Sequence, residues 1–291
     1  MASADLRPMT LGEVLDRTFR LYKSEFWLFA GIMSLPFLVL FIFNVSFGWL
    51  TRTQIAAVGA GGTPHAPPAI HPATIFAGIG AALLALVLSF ILTGVGQAAT
   101  IFAVSDLYLG RPAGIRGSFR QVRGHVLQVL GVIFLVGLLV GAGFILLIVP
   151  GIILACRTGV AVPAAMLEDK GPATAIGRSM ELTKGFAMEM FLIFLLTWVL
   201  AIAAGIILQL PFVLMAAMPH PHVLPFGLTV LQYVTTFISE VLIAPVGAIA
   251  FSLMYYNIRV RKEAFDLQHL MASMGTGAAP SAPAPGTVSP A

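Results

Sequence analysis

Charge and cysteine are both scarce in this sequence. Only 10% of its 291 residues are charged, whereas a soluble domain carries about 25%. The single cysteine, Cys156, lies inside an apolar run, so neither a disulfide framework nor a thiolate metal cluster is expected. Hydrophobic residues make up 58% of the chain. This composition predicts an integral membrane protein.

Motifs of known catalysis are also missing. The sequence contains no G-x-S-x-G elbow, no H-E-x-x-H and no glycine-rich phosphate loop. Four histidines fall in two predicted outer loops without a neighbouring carboxylate or cysteine, so a zinc site is not expected there. They are His65, His71, His220 and His222. The sequence therefore predicts a protein that has no enzymatic activity and binds no cofactor and no metal.

The sequence does contain six long apolar runs. A helix needs about 20 residues to cross a hydrocarbon core, and the runs suit that length. Pro36 is expected to kink the first span, Pro211 to break the fifth, and residues 149–151 to make a tight turn between the third and fourth. The predicted spans lie at about 26–50, 74–105, 126–148, 151–167, 187–210 and 228–258.

The rest of the chain gives the predicted domain boundaries. Residues 1–9 are expected to form a flexible arm, and 10–270 a single six-span membrane domain. Residues 51–72 are rich in Gly, Pro and Ala and are predicted to form an irregular outer loop. Residues 271–291 are of low complexity and are expected to be disordered.

The basic residues predict the orientation. Of the 16 Lys and Arg, all but Arg52 and Arg157 fall in the N-terminal arm, in 109–125, in 168–184 or at the C-terminal end. These segments alternate with base-poor loops, and cytoplasmic loops carry the excess of bases. The six spans are therefore predicted to form three hairpins with both termini cytoplasmic.

A short amphipathic helix is predicted on the cytoplasmic side before spans one, three and five. The three segments share a degenerate pattern of a hydroxyl, a large apolar residue and a charge, which indicates three repeats of one unit; they are residues 16–24, 117–124 and 178–185. In the first segment Thr10 is a predicted N-cap with Glu13 three positions later, a capping box.

Arg157 and Glu240 are the ionisable side chains deepest in the apolar runs. An intramembrane charge is a functional-site hypothesis by default, and the two have similar predicted depths, so they are a candidate charge pair. A structural ion pair, or Arg157 reaching the outer headgroups, is the simpler interpretation. A proton or cation site at Glu240, or a solvated cavity, is the alternative.

The bases of the three amphipathic segments are candidate contacts for anionic lipid headgroups, which attract each base by about 1 kcal/mol near the surface. The positive-inside rule alone would also account for them. The candidates are Arg17, Arg20, Lys23, Arg120, Arg123, Arg178 and Lys184.

Three stretches resemble a known family. Residues 7–17 (RPMTLGEVLDR), 163–185 and 255–267 (YYNIRVRKEAFDL) are similar to the glycerophosphoryl diester phosphodiesterase membrane domain and its stand-alone relatives. In the fused members this domain is joined to a soluble catalytic barrel. The chain shows no trace of the barrel's acidic metal-binding motifs, so no catalytic residue carries over. The resemblance implies an all-helical domain of the bacterial cytoplasmic membrane.

The expected function is that of a non-enzymatic membrane scaffold or a lipid-interacting partner domain. The alternative is a small transporter or lipid-handling protein that uses a polar interior around Arg157 and Glu240, which would connect them to Gln97 and Gln232. The expected partners are membrane lipids, with another membrane protein or a second copy of the chain as open alternatives. Nucleic acid is not an expected partner.

Overall fold

The computed structural model describes residues 8–60, 72–217 and 226–275. Within these residues the chain forms ten α-helices and no strand. The helices are α1 (Leu11–Ser24), α2 (Phe26–Ala60), α3 (Pro72–Tyr108), α4 (Ile115–Arg123), α5 (Val126–Leu146), α6 (Ile148–Thr158), α7 (Ala161–Glu168), α8 (Pro172–Leu182), α9 (Ala187–Ala217) and α10 (Phe226–Gly275).

Six segments are long and apolar enough to cross a membrane, as predicted. They are α2, α3, α5, the α6–α7 pair, α9 and α10. In hydrocarbon a helix satisfies all its own backbone groups, which favours this all-helical build. The spans pack in the cyclic order α3, α2, α10, α9, α6, α5 and back to α3, and α10 also contacts α3 across the ring.

The core lies in one half of the bundle, where α1, α4, α7 and α8 pack against the spans. In α3 the buried residues start at Gly94, and in α10 they start at Pro245. We call this the packed half. In the other half, which we call the open half, most apolar side chains of the described spans are exposed. Such a surface suits contact with lipid tails.

Helix α1 starts as its sequence predicts. The Thr10 hydroxyl accepts a hydrogen bond from the Glu13 backbone N–H at 3.4 Å, and the Glu13 carboxylate accepts one from the Thr10 N–H at 2.7 Å. The capping box is therefore confirmed. Val14 and Thr18 are buried, and α1 packs mainly against α10.

The two ends of the described chain meet. The Asn257 side chain in α10 accepts a hydrogen bond from the Met9 N–H at 2.8 Å and donates one to the Met9 carbonyl at 2.9 Å. Arg261 also donates to that carbonyl. The sequence predicts a flexible arm at residues 1–9, but Met9 is buried and its backbone is held by three hydrogen bonds. Residues 1–7 lie outside the described chain.

The Asn257→Ala variant should lower the free energy of unfolding by about 1–3 kcal/mol, because the buried Met9 N–H loses its acceptor. Titration with SDS in mixed micelles would measure the change. Asn44→Ala is the matched control, since the Asn44 amide donates only to the Leu40 carbonyl of its own helix. Equal effects of the two substitutions would contradict the assigned role of Asn257.

The turn between the third and fourth spans was predicted at 149–151 and lies earlier. Leu147 alone separates α5 from α6, with an extended backbone at φ −166°. Pro150 sits in the first turn of α6, where its missing N–H has no helical acceptor to lose. The turn is this tight because two glycines meet: a Cβ on Gly143 would lie 2.9 Å from the Gly151 Cα.

The fourth span is two helices rather than one. Helix α6 ends at Thr158 and α7 begins at Ala161. Pro163 has no N–H for the Gly159 carbonyl, which weakens the helix at this point. A Cβ on Gly159 would lie 2.6 Å from the Met190 side chain, so close packing on α9 accompanies the break.

Three helices run further than predicted. Helix α10 continues to Gly275, so the disorder predicted from residue 271 was wrong for 271–275. Helix α2 continues to Ala60 and α9 continues through Pro211 to Ala217. The loop predicted from residue 51 was therefore wrong for its first ten residues, which lack proline. The break predicted at Pro211 was also wrong. A transmembrane helix tolerates proline when neighbouring groups satisfy the carbonyl that loses its partner.

Candidate functional site

A network of charged side chains joins three helices in the packed half. Glu168, the last residue of α7, receives hydrogen bonds from the Arg178 Nε at 3.2 Å and from the Tyr255 hydroxyl at 2.8 Å. Lys170 Nζ lies 2.6 Å from the same carboxylate. Arg178 in α8 also pairs with Glu263 in α10. The carboxylate of Glu168 thus links α7, α8 and α10.

Arg178 is held in its charged form, as a residue that links helices through ion pairs needs to be. Burial by itself would lower the pKa of Arg178, but hydrogen bonds and attraction from Glu168 and Glu263 outweigh it and the pKa is raised. The guanidinium therefore stays charged. The network is fully paired around Arg178, which is the arrangement of a structural cross-link rather than of a reactive site.

Arg157 lies at the junction of α6 and α8. Its guanidinium donates to the Met180 carbonyl at 3.3 Å. Its own carbonyl accepts hydrogen bonds from the hydroxyls of Ser179 at 2.9 Å and Thr183 at 3.0 Å. Arg157 thus lies in the packed half, against α8. The opposite face of α8 carries the charged side chains of Arg178 and Glu181.

Glu240 lies elsewhere, in a cavity of about 360 Å³ between α2, α3 and α10 in the open half. The lining includes neither Arg157 nor Gln97 nor Gln232. Within the described residues no ion pair joins Arg157 to Glu240. The structure does not bring the predicted pair together, because the two side chains are in opposite halves of the bundle.

The predicted lipid-contacting bases divide into two sets. The Arg17 guanidinium lies 4.8 Å from the centre of the Tyr108 ring, and Arg178 belongs to the Glu168 network. Both are therefore engaged within the protein. The other five are exposed: Arg20, Lys23, Arg120, Arg123 and Lys184.

Sequence reasoning missed the centre of the network. In the sequence, Glu168 and Tyr255 stand out only as members of the stretches that carry the family resemblance. A carboxylate directly after an apolar span, with a basic helix following it, was the signal present in the sequence. Two glutamines make interhelical hydrogen bonds: Gln128 of α5 donates to the Ala165 carbonyl of α7 at 3.1 Å, and Gln209 of α9 donates to the Thr236 hydroxyl of α10 at 2.7 Å.

The part of the chain that the structure describes contains no group of three or more His, Cys, Asp or Glu that could hold a metal ion. The four histidines considered for zinc lie in 61–71 and 218–225, outside the described residues. Comparison with family models, curated proteins and solved structures found no match for this chain. The resemblance to the phosphodiesterase membrane domain stays a prediction.

Proposed function

We propose that this protein is a non-enzymatic membrane scaffold whose packed half binds the headgroups of anionic lipids. The observation that carries the proposal is the charge of the surface formed by α1, α4, α8 and the adjoining turns. Seven bases are exposed there, against the three exposed acids Asp16, Asp169 and Glu181. The bases are Arg20, Lys23, Arg111, Arg116, Arg120, Arg123 and Lys184. We call them the basic surface.

The imbalance arises because other acids of this half are engaged internally. Glu168 and Glu263 hold Arg178, and Glu189 lies 3.6 Å from Arg261. An exposed Trp27 stands at the start of the first span, and tryptophan favours the headgroup level of a bilayer. A basic surface beside such an anchor is well placed to contact anionic headgroups.

The orientation belongs to the same proposal. The basic surface faces the cytoplasm, as the positive-inside rule requires, and both termini lie on that side. Each of α1, α4 and α8 directly precedes a span, so the chain is three units of an amphipathic helix and a hairpin. The membrane is the bacterial cytoplasmic membrane, as the family resemblance implies.

The transporter alternative has less support. It requires one polar interior containing both Arg157 and Glu240. The cavity beside Glu240 does not reach Arg157, which is already bonded to the Met180 carbonyl.

We expect dioleoyl phosphatidylglycerol to raise the melting temperature of the wild-type protein in maltoside micelles, and dioleoyl phosphatidylcholine to have little effect. Neutralising the five predicted exposed bases together should remove most of the difference, because each base contributes about 1 kcal/mol of attraction and only Arg111 and Arg116 of the basic surface stay charged. The variant carries Arg20→Gln, Lys23→Gln, Arg120→Gln, Arg123→Gln and Lys184→Gln.

The matched control exchanges Lys for Arg and Arg for Lys at the same five positions, which keeps every charge. This variant should respond to phosphatidylglycerol as the wild type does, and added salt should weaken both responses. A neutralised variant that prefers phosphatidylglycerol as strongly as the wild type does would overturn the proposal. So would a wild type that responds equally to the two lipids.

A further inference from the structure

The cavity beside Glu240 lies well inside the membrane-spanning region. Glu240 is about 21 Å along α10 from Phe226, at 1.5 Å per residue. Pro36 in α2 and Pro245 in α10 lie close to the cavity in sequence. A proline inside a helix removes one backbone hydrogen bond and kinks the helix. Space between these two helices is the expected consequence.

Three polar groups of the lining have no partner among the described residues. They are the Glu240 carboxylate, the Tyr233 hydroxyl and the Thr93 hydroxyl. The other polar groups of the lining differ in this respect, since the Asn44 amide and the Ser89 hydroxyl each donate to a carbonyl of their own helix. The unpartnered groups therefore face the cavity with their bonding capacity unused.

Aromatic rings form much of the remaining wall. Phe37 and Phe41 come from α2, and Tyr233 and Phe237 come from α10. The rings of Phe41 and Phe237 are 5.9 Å apart. Ring faces attract a cation held within about 6 Å of their centres, and more strongly where water is excluded. The wall thus favours positive charge as well as apolar bulk.

We infer that this cavity binds an organic cation with an apolar body, which enters from the bilayer, with Glu240 as its counter-ion. A carboxylate inside hydrocarbon requires a nearby positive charge or a bound proton. No Lys or Arg lines the cavity, so an ionised Glu240 would take its positive charge from the ligand. The rings of Phe37, Phe41 and Phe237 would contact its apolar part, and the Tyr233 hydroxyl can add a hydrogen bond.

The size of the cavity limits the ligand. At about 360 Å³ the cavity lies near the lower end of the range of about 300–1,000 Å³ that small-molecule sites occupy. A small aromatic or short-chain quaternary ammonium fits this volume. Benzyltrimethylammonium is a suitable probe, because it joins one aromatic ring to a permanent charge that cannot be lost as a proton.

The test is equilibrium dialysis of labelled benzyltrimethylammonium against the full chain in a maltoside, a detergent without charge. Saturable binding to the wild type is expected, weakened about tenfold or more by Glu240→Gln, because that change removes the counter-ion and keeps the shape. Equal binding to the two proteins would overturn the inference, since the carboxylate would then be protonated. Absence of saturable binding to the wild type would overturn it as well.

A second pair of variants tests the aromatic wall. Phe41→Leu should weaken binding several-fold, because the variant loses the cation–π contact between the Phe41 ring and the ligand. Phe43→Leu is its control, because Phe43 lies on the same helix but stacks on Phe47 and does not line the cavity. Equal binding to these two variants would contradict the proposed wall. The basic surface plays no part in this test, so its outcome is independent of the lipid experiment.

Discussion

Glu168→Gln should lower the free energy of unfolding by about 3–5 kcal/mol, the usual effect of removing one partner from a buried ion pair. The Glu168 side chain is only 10% exposed. Its carboxylate holds Arg178, Lys170 and the Tyr255 hydroxyl together. A neutral amide would leave Arg178 with less compensation and would replace one acceptor oxygen with an N–H donor. SDS titration in mixed micelles would measure the loss.

Glu181→Gln is the matched control. Glu181 also pairs with Arg178, at 3.7 Å, but its side chain is 75% exposed. Exposed pairs contribute about 0–1 kcal/mol, so this variant should unfold almost as the wild type does. A similar loss in both variants would mean that Arg178 needs any nearby negative charge rather than the buried carboxylate of Glu168.

Gly143→Ala should lower the free energy of unfolding by about 1–3 kcal/mol, the usual range for overpacking. The added Cβ would lie 2.9 Å from the Gly151 Cα and 2.8 Å from the Leu154 side chain. The Leu154 side chain can rotate, but the backbone at Gly151 can move only if the turn at Leu147 opens. The same SDS titration would report the effect.

Gly141→Ala provides the comparison on the same helix. Nothing lies within 4 Å of the position a Cβ would take at Gly141. Alanine is preferred to glycine inside a helix by about 0.5–1 kcal/mol, so this variant should be no less stable than the wild type. Destabilisation by Gly141→Ala would show that α5 contacts something at Gly141, such as a second copy of the chain.

The sequence predicts the structure correctly where a few neighbouring residues determine the local conformation. Thr10 and Glu13 can cap a helix in only one geometry, and they do so. Runs of apolar residues must be helical in hydrocarbon, so six segments were recognisable. Proline was less informative than expected: Pro211 lies inside a helix and Pro150 inside a first turn. The outcome depends on neighbours that a single segment does not reveal.

The candidate site was harder to predict because it depends on the arrangement of helices around the ring. Arg157 and Glu240 have similar depths when counted from the nearest turns, but counting does not show which half of the bundle holds each. The rings that line the cavity with Glu240 come from α2 as well as α10, and no pattern within one helix predicts which neighbour it will contact.

The three proposed repeat segments each contain a buried hydroxyl residue at the same position of their shared pattern. The hydroxyl that opens the shared pattern is Thr18 in α1, Ser118 in α4 and Ser179 in α8, and all three are buried. The first two donate to the carbonyl four residues earlier, at 2.8 and 3.1 Å. Ser179 instead donates to Arg157. A small hydroxyl at this position lets each short helix pack closely, which is consistent with three copies of one unit.

The contact between Met9 and Asn257 affects how the protein is made. The two residues are 248 positions apart, and ribosomes add about 5–20 residues per second, so Met9 waits about 12–50 seconds for its partner. Helix α1 has no α10 to pack on during that time. The buried face of Val14 and Thr18 is therefore uncovered by α10 until the sixth span has been made. The packed half can close only when that span arrives.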